Sequence, residues 1–181
     1  MLQALDAIKE GALSTIYPVL MLGVILASPS QMGLVNSSFA VTAVLVAPFI
    51  PVVIRKRGYT TPIALGAAVS GIGLALLAIW PSVEIAFATF LLGGAPFTIS
   101  WVASNTLLVM SVPEQHRARA VGTTGNIYAV AMLSSAGISG VLADAVGVLP
   151  VLAAAAATQT IAGALFLAMS RRGPRRPSGG G

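Results

Sequence analysis

The sequence predicts an all-α membrane protein built as a six-transmembrane-helix bundle. Three observations carry that prediction. The 181 residues are 56% hydrophobic and only 8% charged, whereas a soluble domain has roughly a quarter of its residues charged to cover its surface. The 10 Lys and Arg side chains fall in four short clusters: Lys9; Arg55, Lys56 and Arg57; Arg117 and Arg119; and Arg171, Arg172, Arg175 and Arg176. Between the clusters lie nearly uncharged stretches, and about 20 helical residues suffice to cross a hydrocarbon core about 30 Å thick.

Taken in order, the uncharged run 11–54 is long enough for two spans, expected over 8–28 and 31–54. Ser28-Pro29-Ser30 divides them, because proline and serine punctuate helices. A third span is expected over 60–80, ending at Trp80-Pro81-Ser82, and a fourth over 85–111. The fifth is expected over 120–143 and the sixth over 147–170, with Gly147 and Pro150 at its start. Together these form one transmembrane domain over 1–170. Residues 171–181 are basic and then rich in Pro, Ser and Gly, which reads as a disordered cytoplasmic tail. Pro18, Pro48, Pro51 and Pro96 fall inside spans or near their ends and are expected to kink them.

Short loops rich in Lys and Arg favour the cytoplasmic side. The second-to-third, fourth-to-fifth and C-terminal connections carry the cations, while the other three carry only Glu84 and Asp144. Lys9 precedes most of the first span on the same side. Six spans make this alternation regular, so both termini are expected inside a cell (plasma or inner) membrane. A cleaved signal peptide fits poorly, because Asp6 and Glu10 sit in what would be its basic segment.

The net charge of +5 does not indicate nucleic-acid binding, since the cations are loop clusters between apolar spans rather than one basic face. The chain has no Cys and one His, His116, so a thiolate, a Cys-based metal site and a His-paired triad are ruled out. No cofactor, metal or catalytic activity is expected. The lipid bilayer is the first partner.

Polar residues at helical spacing mark candidate lining. In the fourth span Gly94, Thr98, Trp101 and Asn105 share a face, and in the fifth Thr124, Tyr128, Ser135 and Ser139 do. Asp6, Glu10, Ser14, Tyr17 and Met21 share one in the first span, and Asn36, Ser37, Ser38 and Thr42 stand near the start of the second. The third shows Gly66, Ser70 and Gly73, a small-residue stripe suited to close packing. Tyr17, Asn36, Thr98, Trp101, Asn105 and Tyr128 are therefore the candidate substrate-path residues. The Ser and Thr hydroxyls have a plainer use in bonding neighbouring helices. Glu10 is a candidate coupling carboxylate, although spacing along its own helix puts it near the cytoplasmic interface, in a solvated Asp6–Lys9–Glu10 cluster. No acid or base is expected near the middle of any span.

The segment Val112-Pro113-Glu114-Gln115-His116-Arg117-Ala118-Arg119-Ala120-Val121-Gly122 resembles the cytoplasmic loop between the tenth and eleventh helices of the major facilitator superfamily, where a Pro-Glu-x-x-Arg-small-Arg pattern is common. Pro51-Val52-Val53-Ile54-Arg55-Lys56-Arg57-Gly58 sits where that family repeats a basic Gly-x-x-x-Asp-Arg-x-Gly signature. Here Arg55 stands in place of the acid. Ser30-Gln31-Met32-Gly33-Leu34 resembles the usual entry to the eighth helix. The resemblance implies the C-terminal six-helix half of a major-facilitator-type fold, nearest the efflux branch, with its first and fourth helices lining a central path. It also implies gating roles for Arg55, Arg57, Arg117 and Arg119, a small-molecule substrate, and a partner that is a second six-helix half or a second copy. The competing expectation is a non-transporting remnant or assembly protein, in which the polar stripes are spent on helix–helix contacts.

Overall fold

The computed structural model describes the backbone of residues 2–171 and the side chains of 5–168. Helix α1 covers Leu2–Val19 and runs on as a π turn over Leu20–Val24. α2 (Pro29–Val46), a 3-10 turn (Ala47–Phe49) and α3 (Ile50–Arg57) form the second span. α4 (Thr60–Ile79) and α5 (Val83–Met110) follow. A 3-10 turn over Glu114–His116 leads into α6 (Arg117–Val146), and α7 is Val148–Arg171. Among the described residues, six segments are long and apolar enough to cross a membrane, and no strand is present. Of the expected tail at 171–181, residue 171 closes α7 and the rest lies outside the described residues.

Local chemistry sets the boundaries. Pro18 cannot donate a backbone hydrogen bond, and the helix beyond it widens, with Ile25 N–H donating to Leu20 O at 2.8 Å. The first span, expected over 8–28, therefore stops at Val24. Leu26 turns the chain with φ of 58°. Ser28 then caps α2 in a reciprocal box: its Oγ accepts from Gln31 N–H at 3.2 Å, and its own N–H donates to Gln31 Oε1 at 2.8 Å. Pro29 occupies the first helical position, where a missing N–H costs nothing. The break within the second span falls at Pro48, while α5 continues through Pro96. α6 and α7 meet at Gly147, whose φ of 92° favours glycine.

The packing has an internal order that the sequence conceals. α1 packs on α6 as α5 packs on α2, and α1 packs on α7 as α5 packs on α4, while α4 and α7 pack on each other. The pattern maps onto itself when the unit α1–α4 is exchanged with the unit α5–α7. Each unit has three spans, so the exchange reverses their direction across the membrane, the arrangement of an inverted repeat. Two glycines occupy corresponding places. A methyl on Gly11 would overlap the Met132 carbonyl of α6, and a methyl on Gly94 would overlap the Phe39 carbonyl of α2. Both contacts bring backbones together as small residues allow between membrane helices.

The best-packed core lies at the end away from the basic loops. Ile16, Leu20, Met21, Val35, Leu77 and Leu152 are almost wholly buried there. α2, α5 and α6 bury less of themselves than α1, α4 and α7 do. Their outward residues, among them Val44, Leu92, Leu133 and Val141, are exposed apolar side chains.

Candidate functional site

Asp6, Lys9 and Glu10 are three and four residues apart on α1 and share one face. Lys9 Nζ lies 3.2 Å from Asp6 Oδ1 and 2.7 Å from Glu10 Oε1. The lysine is only 2% exposed, and its ammonium sits 4.9 Å from the centroid of the Phe97 ring. Gln159 Nε2 on α7 donates to Asp6 Oδ1 at 3.1 Å. Phe97 stands halfway along α5 and Gln159 halfway along α7, so the charges are level with the middle of two spans.

This departs from two expectations: Lys9 is buried rather than solvated, and the cluster is level with mid-span rather than with the interface. Spacing along the first span alone misjudges the depth, because that span stops at Val24 and packing sets the level of α5 and α7 against it. A charge in this position is costly unless paired. The two carboxylates and the aromatic face supply that pairing for Lys9.

A row of rings runs beside the cluster. Tyr17 lies 4.9 Å from Phe90, Phe90 6.2 Å from Phe39, and Phe39 5.5 Å from Phe97. Phe97 stacks on Trp101 at 6.3 Å, and Trp101 meets Tyr128 edge-on at 5.5 Å. The row draws on α1, α2, α5 and α6. A cavity of about 210 Å³ opens against it, lined by Lys9, Glu10, Leu13, Phe39, Phe90 and Phe97. Aromatic walls around a few convergent polar groups are the usual make-up of a small-molecule site.

A family model of the Major Facilitator Superfamily matches residues 1–181. The chain belongs to that superfamily, one of membrane transporters. No curated protein matches it.

The sequence-derived candidates of this facilitator chain are placed unequally. Trp101 and Tyr128 form the end of the aromatic row, with Trp101 38% exposed. Thr98 donates to Gly94 O at 2.8 Å and the Asn105 amide to Trp101 O at 2.9 Å, so each bonds its own helix. Tyr17 is buried at the other end of the row, within the core, and its hydroxyl has no partner. Asn36 is exposed on α2, apart from the row. Glu10 is at the cavity. Arg55, Arg57, Arg117 and Arg119 are exposed at the basic-loop end, and among the described residues none makes an ion pair.

Among the Ser and Thr hydroxyls, Ser14, Ser38 and Thr42 of the stripes donate to carbonyls of their own helices, and others bond neighbouring helices. Ser135 donates to Ile8 O at 2.6 Å, Thr15 to Ala136 O at 3.2 Å and Thr89 to Gly73 O at 3.3 Å. Phe39, Phe90, Phe97, Lys9 and Gln159 were missed as site residues. The α5 rings had a signal, for Phe90, Phe97 and Trp101 recur at steps of seven and four on one helix face. Phe39 and Gln159 had none, because their place depends on which helices meet.

Proposed function

We propose that this chain is the C-terminal six-helix half of a secondary transporter that exports amphipathic small molecules by alternating access. In this reading it rocks against a second six-helix half, or a second copy of itself, across the face that carries Trp101 and Tyr128. It lies in the cell membrane with both termini in the cytoplasm, so Arg55, Arg57, Arg117 and Arg119 stand where a cytoplasmic gate would close. Glu10 serves in coupling or in holding the substrate.

One observation carries the reading: a cavity of about 210 Å³ joins an aromatic wall to a buried ion cluster level with the middle of the spans. Intramembrane charge is expensive to keep and marks transport paths far more readily than it serves helix packing. Apolar rings can take the hydrophobic body of a substrate, and the Glu10 carboxylate can fix its polar end. A protein that only binds other membrane helices has no use for charge in a cavity of this kind.

The test is accumulation of a panel of amphipathic dyes and drugs in cells expressing the complete transporter. Trp101→Ala and Glu10→Gln are expected to change which compounds are excluded while expression stays near normal. Ile99→Ala, whose side chain is not in the row, is expected to change nothing. Equal and unselective loss in all three variants would reduce these residues to packing and end the proposal.

A further inference from the structure

A second cavity has Asp6, but neither Lys9 nor Glu10, in its lining. It has a volume of about 20 Å³ and is lined by Asp6, Gly66, Ser100, Trp101, Ser104 and Gln159, with apolar side chains completing it. That is room for one particle of water size, since such a space needs only about 10–15 Å³. Gln159 is 6% exposed. Its Nε2 is spent on Asp6, which fixes the amide's sense, because a carboxylate only accepts and the reversed amide would set oxygen against oxygen. Its Oε1 is buried with no hydrogen-bond partner, which is costly for such a group.

We propose that Asp6, Gln159, Ser100 and Ser104 form a binding site for a dehydrated monovalent cation of sodium's size. The donors are all oxygens, the ligands that hard cations prefer. Ser100 Oγ donates its proton to Ile63 O at 3.4 Å, which leaves its lone pairs for a ligand. Ser104 stands one turn further along α5 on the same face. Charge fixes the valence. Asp6 and Glu10 carry two negative charges and Lys9 one positive, so the buried cluster has one negative charge in excess, and one monovalent ion balances it. The Asp6 carboxylate favours sodium among monovalent ions, because the smaller ion brings its charge closer to the negative oxygen, and a cavity of about 20 Å³ has room for a single ion. Gly66 makes the close wall possible, since a methyl there would come within 2.5 Å of the Ser100 Cβ.

Binding at this site is independent of the transport reading, although a role as coupling ion would rest on it. The experiment is thermal unfolding of the full chain, purified in detergent, in sodium, potassium or choline chloride at constant ionic strength and pH. Sodium is expected to raise the midpoint by several degrees in a saturable way, and potassium and choline to leave it where it was. Gln159→Leu and Asp6→Asn are expected to abolish the sodium shift, and Ser104→Ala to move it to higher sodium concentration. Identical unfolding of the wild-type chain in all three salts would mean that the cavity takes water alone, and would overturn the site without touching the transport proposal. A sodium shift that persists in both Gln159→Leu and Asp6→Asn would place the ion elsewhere and also overturn it. If those variants do not fold, the wild-type comparison together with Ser104→Ala decides.

Discussion

The two three-helix units of this bundle pack alike and carry different chemistry. In the first, α1 approaches α6 at Gly11, and the residues just before that glycine are the ion cluster Asp6, Lys9 and Glu10. In the second, α5 approaches α2 at Gly94, and the residues around that glycine are the rings Phe90, Phe97 and Trp101. Pairing the two glycines sets Lys9, which is 2% exposed, against Leu92, which is 68% exposed. The repeat therefore preserves backbone approach, which small residues provide, and leaves side-chain chemistry free to diverge. The site arises where the charged face of one unit meets the aromatic face of the other.

The largest expected effect is electrostatic and confined to the first unit. Lys9→Met leaves two carboxylates uncompensated in the bundle and should cost about 3–5 kcal/mol, the usual penalty for breaking a buried pair. Adding Asp6→Asn and Glu10→Gln should recover most of that loss. Leu92→Met, the corresponding change in the second unit, should stay within about 0.5 kcal/mol because the side chain is exposed. Chemical unfolding in mixed micelles measures all of these. Equal costs for Lys9→Met and Leu92→Met would erase the contrast between the units.

Backbone approach is where the units should behave alike. Gly11→Ala and Gly94→Ala each press a methyl onto a backbone carbonyl of the facing helix and should each cost about 1–3 kcal/mol. Gly122→Ala on α6 meets open space and should instead stabilise by up to about 1 kcal/mol, as alanine does within a helix. A large cost at Gly11 with none at Gly94 would break the repeat.

The smallest effect separates a bonded polar group from a functional one. Asn105→Ala removes an amide that donates to its own helix at Trp101 O. It should cost about 0.6 kcal/mol, the average worth of a membrane hydrogen bond. A markedly larger loss in the same unfolding assay would show that Asn105 holds helices together.

What the sequence disclosed, and what it withheld, follows from the range of the forces involved. Spans and breaks were legible because they rest on local rules. Charge is kept out of lipid, Ser28 and Pro29 begin a helix, and Gly147 ends one. The extent of the first span was misjudged because Pro18 alters the helix from within. Trp101 and Tyr128 stand in separate polar stripes in the sequence, and only the packing of α5 on α6 brings their rings into contact. Depth was not legible. The level of Lys9 is set by Phe97 and Gln159, which are 88 and 150 residues further along the chain. The repeat was hidden for the same reason, since Gly11 and Gly94 correspond in what they touch, while their neighbours share little sequence.

The central claim is that a small molecule binds where the charged and aromatic faces meet, and the chain's two tryptophans allow that to be read directly. Trp80→Phe leaves Trp101 in the row as the sole reporter, and Trp101→Phe leaves Trp80, which is 61% exposed at the far end of α4. Amphipathic quenching dyes titrated into each variant of the chain, purified in detergent, should quench Trp101 saturably. Glu10→Gln in the Trp80→Phe background should weaken that response. Trp80 should show only the shallow, unsaturable quenching of dye in the surrounding micelle. Matching, unsaturable curves for the two tryptophans would place the dye in lipid or detergent, and would contradict the account.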